Sequence, residues 1–180
     1  LCNYRIVLAV TDDLELVDIS RNALYVGLEG LEIDGQQLTA HAALSLAREK
    51  FSLQRIISFH STIARAESFA AAQKALSDKG VLGNQRFTVD AHVVSGKQSA
   101  ATREKLLRKM SKVEEHQSLM LSNARCLTEG IDVPELDGVI FVDPKSSKVD
   151  IVQAVGRAIR KAGPTKEIGT IILPLLRESS

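Results

Sequence analysis

From about Gln54 onward, short apolar runs of strand length alternate with longer segments of helical period, and nothing else in this 180-residue sequence restricts the fold so narrowly. The runs at residues 55–59 (RIISF), 91–94 (AHVV), 118–122 (SLMLS), 138–142 (GVIFV) and 168–173 (IGTIIL) do not alternate in polarity. A strand covered on one face alternates; a strand covered on both faces does not. The pattern therefore predicts βαβ units, a parallel sheet with helices on its faces, and an α/β fold. Helices are expected at residues 63–79, 100–112 and 149–161, the last entered through a capping box in which Ser147 stands three residues before Asp150.

Ahead of Gln54 the signal is less regular. Residues 5–10 (RIVLAV) read as a strand and 38–51 as a helix, while 11–37, rich in Asp, Glu and Gly, reads as a connector or an elaboration. With no internal repeat, low-complexity tract or Pro/Ser-rich linker, the chain reads as one domain over residues 54–180, with residues 1–53 leading into it. The 44% hydrophobic and 25% charged composition suffices to close a core and excludes a disordered or collagen-like chain. A formal charge of +1 means that any surface for nucleic acid must be a local one.

Cys2 and Cys126 have neither disulfide-scaffold nor zinc spacing, which fits a reducing cytoplasm. No apolar run approaches a membrane span, and no signal-peptide pattern opens the chain. The first residue is Leu1 rather than Met, so a piece of a longer protein is expected.

Several chemistries have no support. GxxxxGK[ST], whose amides and lysine neutralise nucleotide phosphates, is absent, as is GxSxG. Glu114 and Glu115 precede an apolar run instead of ending one and read as surface charge; Asp12 and Asp13 follow a strand but have no phosphate loop upstream. His41, His60, His92 and His116 show no metal spacing, and no metal site is expected. The GxxG strings beginning at Gly27 and Gly80 are read as turns.

Chemistry concentrates between Ser118 and Ala162. At about 100° per residue, Ile151, Val152, Val155, Ala158, Ile159 and Ala162 fall on one side of a helix, with Gln153, Arg157 and Arg160 opposite. Gly156 beside them is a poor helix former, which suits close approach of another surface. Two guanidinium forks and a carboxamide converging there suit a polyphosphate, although a solvated helix face would look the same. The stretch 128–134 (TEGIDVP) follows a strand at its carboxyl end, where open α/β sheets bind ligands. Gly130 there admits a phosphate to the backbone, Asp132 can accept from ribose hydroxyls, and Pro134 stiffens the exit; a plain turn with a capping Asp is the alternative.

TEGIDVP followed by QAVGRAIR, with a strand between, resembles motifs V and VI of superfamily 2 helicases and translocases, in the second of their two RecA-like domains. IISFHSTIARAESFA resembles motif IV, and VVSGKQSAATREKLL the next strand, glycine-containing loop and arginine-bearing helix. The resemblance runs from about Gln54 to Leu175, and FVDPKSSKVDIVQAVGRAIR is most similar to DNA helicases of the restriction-modification and repair type; LTEGIDVPEL is shared with repair-excision helicases.

The resemblance implies a RecA-like three-layer sandwich with a mainly parallel sheet, lacking the Walker A motif. It implies Arg157 and Arg160 as arginines reaching the ATP phosphates across an interdomain cleft, at least one an arginine finger, with Gln153, Gly130 and Asp132 also facing the nucleotide. Ser61, Thr62, Gly96, Arg103, Arg125 and Thr128 would meet the nucleic-acid backbone. With no Trp, five Phe and two Tyr, base stacking is not expected. ATP and Mg2+ would be held mainly by a first RecA-like domain of the full-length protein, DNA would be the other partner, and the fragment alone is expected to be inactive. A non-catalytic RecA-like module binding nucleic acid or protein is the rival reading.

Overall fold

The computed structural model describes residues 3–11, 25–28, 30–79, 88–124, 136–143 and 168–176. In chain order the elements are β1 (Asn3–Thr11), β2 (Tyr25–Leu28), β3 (Leu31–Asp34), α1 (Gly35–Phe51), β4 (Arg55–His60), α2 (Ile63–Lys79), β5 (Thr88–Ser95), α3 (Ala100–Met110), β6 (Gln117–Ala124), β7 (Gly138–Phe141) and β8 (Ile168–Leu176). Six strands form one sheet in the order β1-β8-β7-β4-β6-β5, every neighbouring pair parallel. The continuous apolar runs are thus strands, buried in β4, β6 and β7 and only partly so in β5, which lies at the sheet edge.

Alternate residues of each central strand serve two separate cores. Ile57, Phe59, Leu119, Leu121, Val139, Phe141 and Ile171 pack on one face with Met110 of α3, and Leu106 and Leu107 lie against them. Ile56, Met120, Ile140, Val142 and Ile172 point to the other face, where Ala40, Ala43, Leu44 and Ala47 of α1 and Phe69 of α2 cover them. Helices on both faces of a parallel sheet make three layers.

Two aspartates bracket β7. Just before it Asp137 Oδ2 accepts from the backbone N–H groups of Gln54 (3.1 Å) and Arg55 (2.8 Å), and the Asp137 carbonyl accepts from Thr170 N (2.9 Å), so β4, β7 and β8 start in register. Beyond its carboxyl end stands Asp143.

The region read as a connector contains more structure than expected. β2 and β3 form an antiparallel hairpin in which Leu28 faces Leu31, and Gly30 between them adopts φ +80°, a left-handed turn conformation open to glycine. Of the GxxG string read as a turn, Gly27 and Leu28 belong to β2 and Gly30 lies in a turn; the string at Gly80 lies outside the described residues. Helix α1 begins at Gly35 rather than at residue 38 because Asp34 caps it, Oδ1 accepting from Gln37 N at 2.7 Å. Helix α3 stops at Met110, two residues earlier than expected, with Ser111 as its C-cap. The expected helix over 149–161 and its Ser147/Asp150 cap lie outside the described residues.

Candidate functional site

Parallel strands present their carboxyl ends along one edge. His60 of β4 and Ser95 of β5 both pair with Ala124 of β6, so the last residues of three adjacent strands form one row. Ser61 and Thr62 follow at one end of this row and Gly96 at the other. On the far side of β4, Val142 N donates to the Phe59 carbonyl at 3.2 Å, which brings Asp143 level with Ser61.

Ser61 and Thr62 are exposed and lead into α2. Thr62 caps that helix: its hydroxyl accepts from Arg65 N (3.2 Å) and its carbonyl from Ala66 N (3.1 Å). Ser61 is already engaged, because its N–H and its hydroxyl both donate to Asp143 Oδ2, at 2.8 and 2.9 Å. The other oxygen, Oδ1, lies 2.7 Å from Arg65 Nε and 2.7 Å from Nη2. Arg65 Nη1 donates in turn to Asp34 Oδ2 at 2.8 Å.

Arg65 stands in the first turn of α2, where the helix dipole disfavours a cation, so the two carboxylates are what make that position tenable. Burial pulls the Arg65 guanidinium down, but the hydrogen bonds to Asp143 and Asp34 outweigh it and hold it above the usual arginine value. Burial pushes the Asp143 carboxyl up, and the Arg65 and Ser61 hydrogen bonds outweigh that and hold it below the ordinary range. Side-chain amides close the cluster: Gln36 Nε2 donates to the Val142 carbonyl (2.9 Å) and Gln37 Nε2 to the Arg65 carbonyl (3.4 Å).

At the other end of the row, Gly96 is exposed and a Cβ there would meet nothing within 4 Å. Its loop is shaped from within. Gln98 Oε1 accepts from Ser95 N (3.2 Å), Gln98 Nε2 donates to the Val93 carbonyl (3.0 Å), and Ser99 caps α3 through Thr102 N (3.1 Å). Arg103 Nη1 donates to the Gln98 carbonyl at 2.6 Å, so this half-buried arginine holds the loop that carries Gly96 and Lys97. The remaining cations of α3 behave as a solvated face: Arg108 pairs with Glu104 and Lys109 with Asp90, and Lys105 is exposed, as is Lys112 just beyond the helix. Glu114 and Glu115 are surface residues, as expected.

The structure thus gathers Ser61, Thr62, Gly96 and Arg103 on one edge. Arg125, Thr128, Gly130, Asp132, Gln153, Arg157 and Arg160 lie outside the described residues. Sequence reasoning did not single out Asp34, Arg65, Gln98 or Asp143, whose side chains shape this edge. The only local signals for them were an Asp ending a strand and an Arg in the first turn of a helix.

Among the described residues no three His, Cys, Asp or Glu side chains are grouped to hold a metal ion, and no helix is long and apolar enough to cross a membrane. A cavity of about 400 Å³ between Asp90, Lys109, Lys112 and Glu114 opens at the amino-terminal edge of β5 and β6, away from the strand ends that gather the predicted residues.

Residues 39–162 match the model of the helicase conserved C-terminal domain. The chain belongs to that family. A probable helicase of African swine fever virus is 42% identical over 57 residues, 32% of this chain and 6% of the viral protein. Among solved structures, the ATP-dependent Type ISP restriction-modification enzyme LlaBIII bound to DNA superposes with a TM-score of 0.76 at 27% identity, over 98% of this chain and 12% of that one. The E. coli DEAD-box protein SrmB superposes with a TM-score of 0.59 at 16% identity, over 97% of this chain and 78% of SrmB. The chain is a helicase C-terminal domain of superfamily 2 with the RecA-like α/β fold, and it spans a small part of the viral and restriction proteins it resembles.

Proposed function

We propose that this helicase C-terminal domain serves as the second RecA-like domain of an ATP-dependent DNA helicase or translocase of the restriction-modification or repair type. The observation that carries the reading is the family match over residues 39–162, which takes in the motif IV, V and VI stretches in their order along the chain. LlaBIII, an ATP-dependent enzyme bound to DNA, supports DNA as the nucleic acid.

In this reading Arg157 and Arg160 face the ATP phosphates across a cleft shared with a first RecA-like domain, and at least one offsets charge that develops in the transition state. Gln153 positions them or the nucleotide, and Gly130 and Asp132 meet phosphate and ribose. Bound ATP, with its Mg2+ held mainly by the first domain, draws the two domains together, and hydrolysis releases them. Ser61, Thr62, Gly96, Arg103, Arg125 and Thr128 hold the DNA backbone through hydroxyl, amide and guanidinium groups, which give affinity without reading sequence.

ATP hydrolysis by the full-length protein, with and without DNA and beside the 1–180 fragment, tests the reading. DNA-stimulated turnover by the full-length protein and none by the fragment is the expected result. Turnover by the fragment alone removes the need for a partner domain. DNA binding by a full-length protein without ATPase activity supports the non-catalytic module instead.

A further inference from the structure

Ser61 is read as a contact for a nucleic-acid phosphate, yet both of its donors are taken. Its N–H and hydroxyl converge on one oxygen of Asp143, at 2.8 and 2.9 Å, in the arrangement a phosphate oxygen would need. Asp143 is well placed to stay there. Its side chain is 7% exposed, and its other oxygen is gripped by Arg65 Nε and Nη2, both at 2.7 Å. Arg65 is held from behind by Asp34 Oδ2 at 2.8 Å, and Asp34 also caps α1.

Two anions cannot share the same pair of donors, because their mutual repulsion grows as water is excluded. A phosphate approaching Ser61 must therefore move Asp143. The carboxylate so moved stands just beyond β7, and the chain continues from it in sequence toward Gln153, Arg157 and Arg160.

We infer that Asp143 is the built-in competitor of the nucleic-acid backbone at Ser61, with Arg65 its positioning residue, and that exchange of the carboxylate for a phosphate links DNA binding to the segment carrying the nucleotide-facing arginines. This rests on the reading of Ser61 and Thr62 as backbone contacts.

The test uses the full-length protein and its Asp143→Asn, Arg65→Ala and Arg65→Lys variants. Three quantities are measured: affinity for a fluorescently labelled DNA oligonucleotide, the ratio of DNA-stimulated to basal ATP hydrolysis, and the melting curve. Removing the competing charge in Asp143→Asn is expected to tighten DNA binding about three- to tenfold and to reduce the stimulation ratio by more than half. Arg65→Lys keeps the charge without the fork, and is expected to recover the melting temperature that Arg65→Ala loses while stimulation stays low. A purely structural arginine would recover both.

A folded Asp143→Asn variant with unchanged or weaker DNA binding and full stimulation overturns the inference and leaves the motor reading standing. A natural protein whose ATPase ignores DNA overturns both. Should Asp143→Asn fail to melt cooperatively, Asp143→Ser, smaller and equally neutral, replaces it: tighter DNA binding with reduced stimulation supports the competitor, and unchanged binding with full stimulation overturns it.

Discussion

Arg65 and Asp143, from the first turn of α2 and the carboxyl side of β7, meet side-on, with Nε and Nη2 each 2.7 Å from Oδ1. Asp143 is the more buried partner, so removing the arginine strands a carboxylate where water scarcely reaches. Arg65→Ala is expected to destabilise the domain by about 2–3 kcal/mol, less than a fully buried pair because the guanidinium is partly solvated. Denaturant unfolding of Arg65→Ala, Asp143→Ala and the double variant measures this. A double variant no less stable than Arg65→Ala fits an orphaned charge, whereas strictly additive losses would show that the pair does not interact.

Gly138 in β7 and Gly96 in the loop after β5 should respond differently to a methyl group. A Cβ on Gly138, inside β7, would lie 3.1 Å from Leu53 Cδ1 and 3.7 Å from Ile56 Cγ1, in a packed core. Gly138→Ala is expected to cost about 1–2 kcal/mol of stability. Gly96→Ala has open space and should fold like the natural chain. Loss of DNA affinity in a Gly96→Ala variant with an unchanged melt would then report close backbone approach there. Unchanged affinity would remove Gly96 from the interface.

The elements whose pattern is local were legible in the sequence. Continuous apolar runs gave β4 to β8, and helical spacing gave α2 with its observed bounds, Ile63–Lys79. The hairpin Tyr25–Leu28 and Leu31–Asp34 escaped because its strands are four residues each, too short to show a period. The site was legible only where it is linear. Ser61, Thr62, Gly96 and Arg103 could be named from motif stretches, but the Arg65 network joins residues 31 and 78 positions apart, and no local pattern encodes such a partner. That Asp143 fills the donors of Ser61 was therefore beyond reach until the topology set β7 beside β4.

Acid should weaken the domain in two stages. His41 is stacked on Phe69 with ring centroids 4.0 Å apart and Nδ1 2.8 Å from Gln73 Oε1. His60 leans on the same Phe69 and lies 2.9 Å from Ser58 Oγ. Burial lowers both to about 4; the Gln73 hydrogen bond and Asp34 pull back on His41, while on His60 Asp143 pulls upward and Arg65 and His41 press further down.

The unfolded chain then binds more protons between pH 6.5 and about 4, so stability is full above 6.5 and falls with pH across that window. The loss is about 3 kcal/mol per ring at most. Asp143, held below the ordinary aspartate value of 3.8, adds a further loss only below that pH. Urea midpoints of the 1–180 chain from pH 7 to 4 measure the first stage. A flat profile would show that neither ring is held neutral in the fold.

We propose that the arginine-bearing motif of this domain acts on ATP bound to a partner domain. DNA-stimulated ATP hydrolysis by the full-length protein, compared with Arg157→Ala and Arg160→Ala while DNA binding and melting are recorded in parallel, tests it most directly. Removal of a working arginine finger is expected to lower turnover about 10³-fold or more in at least one variant, with folding and DNA affinity retained. Unchanged turnover in both variants would make these arginines a solvated helix face with no part in ATP hydrolysis.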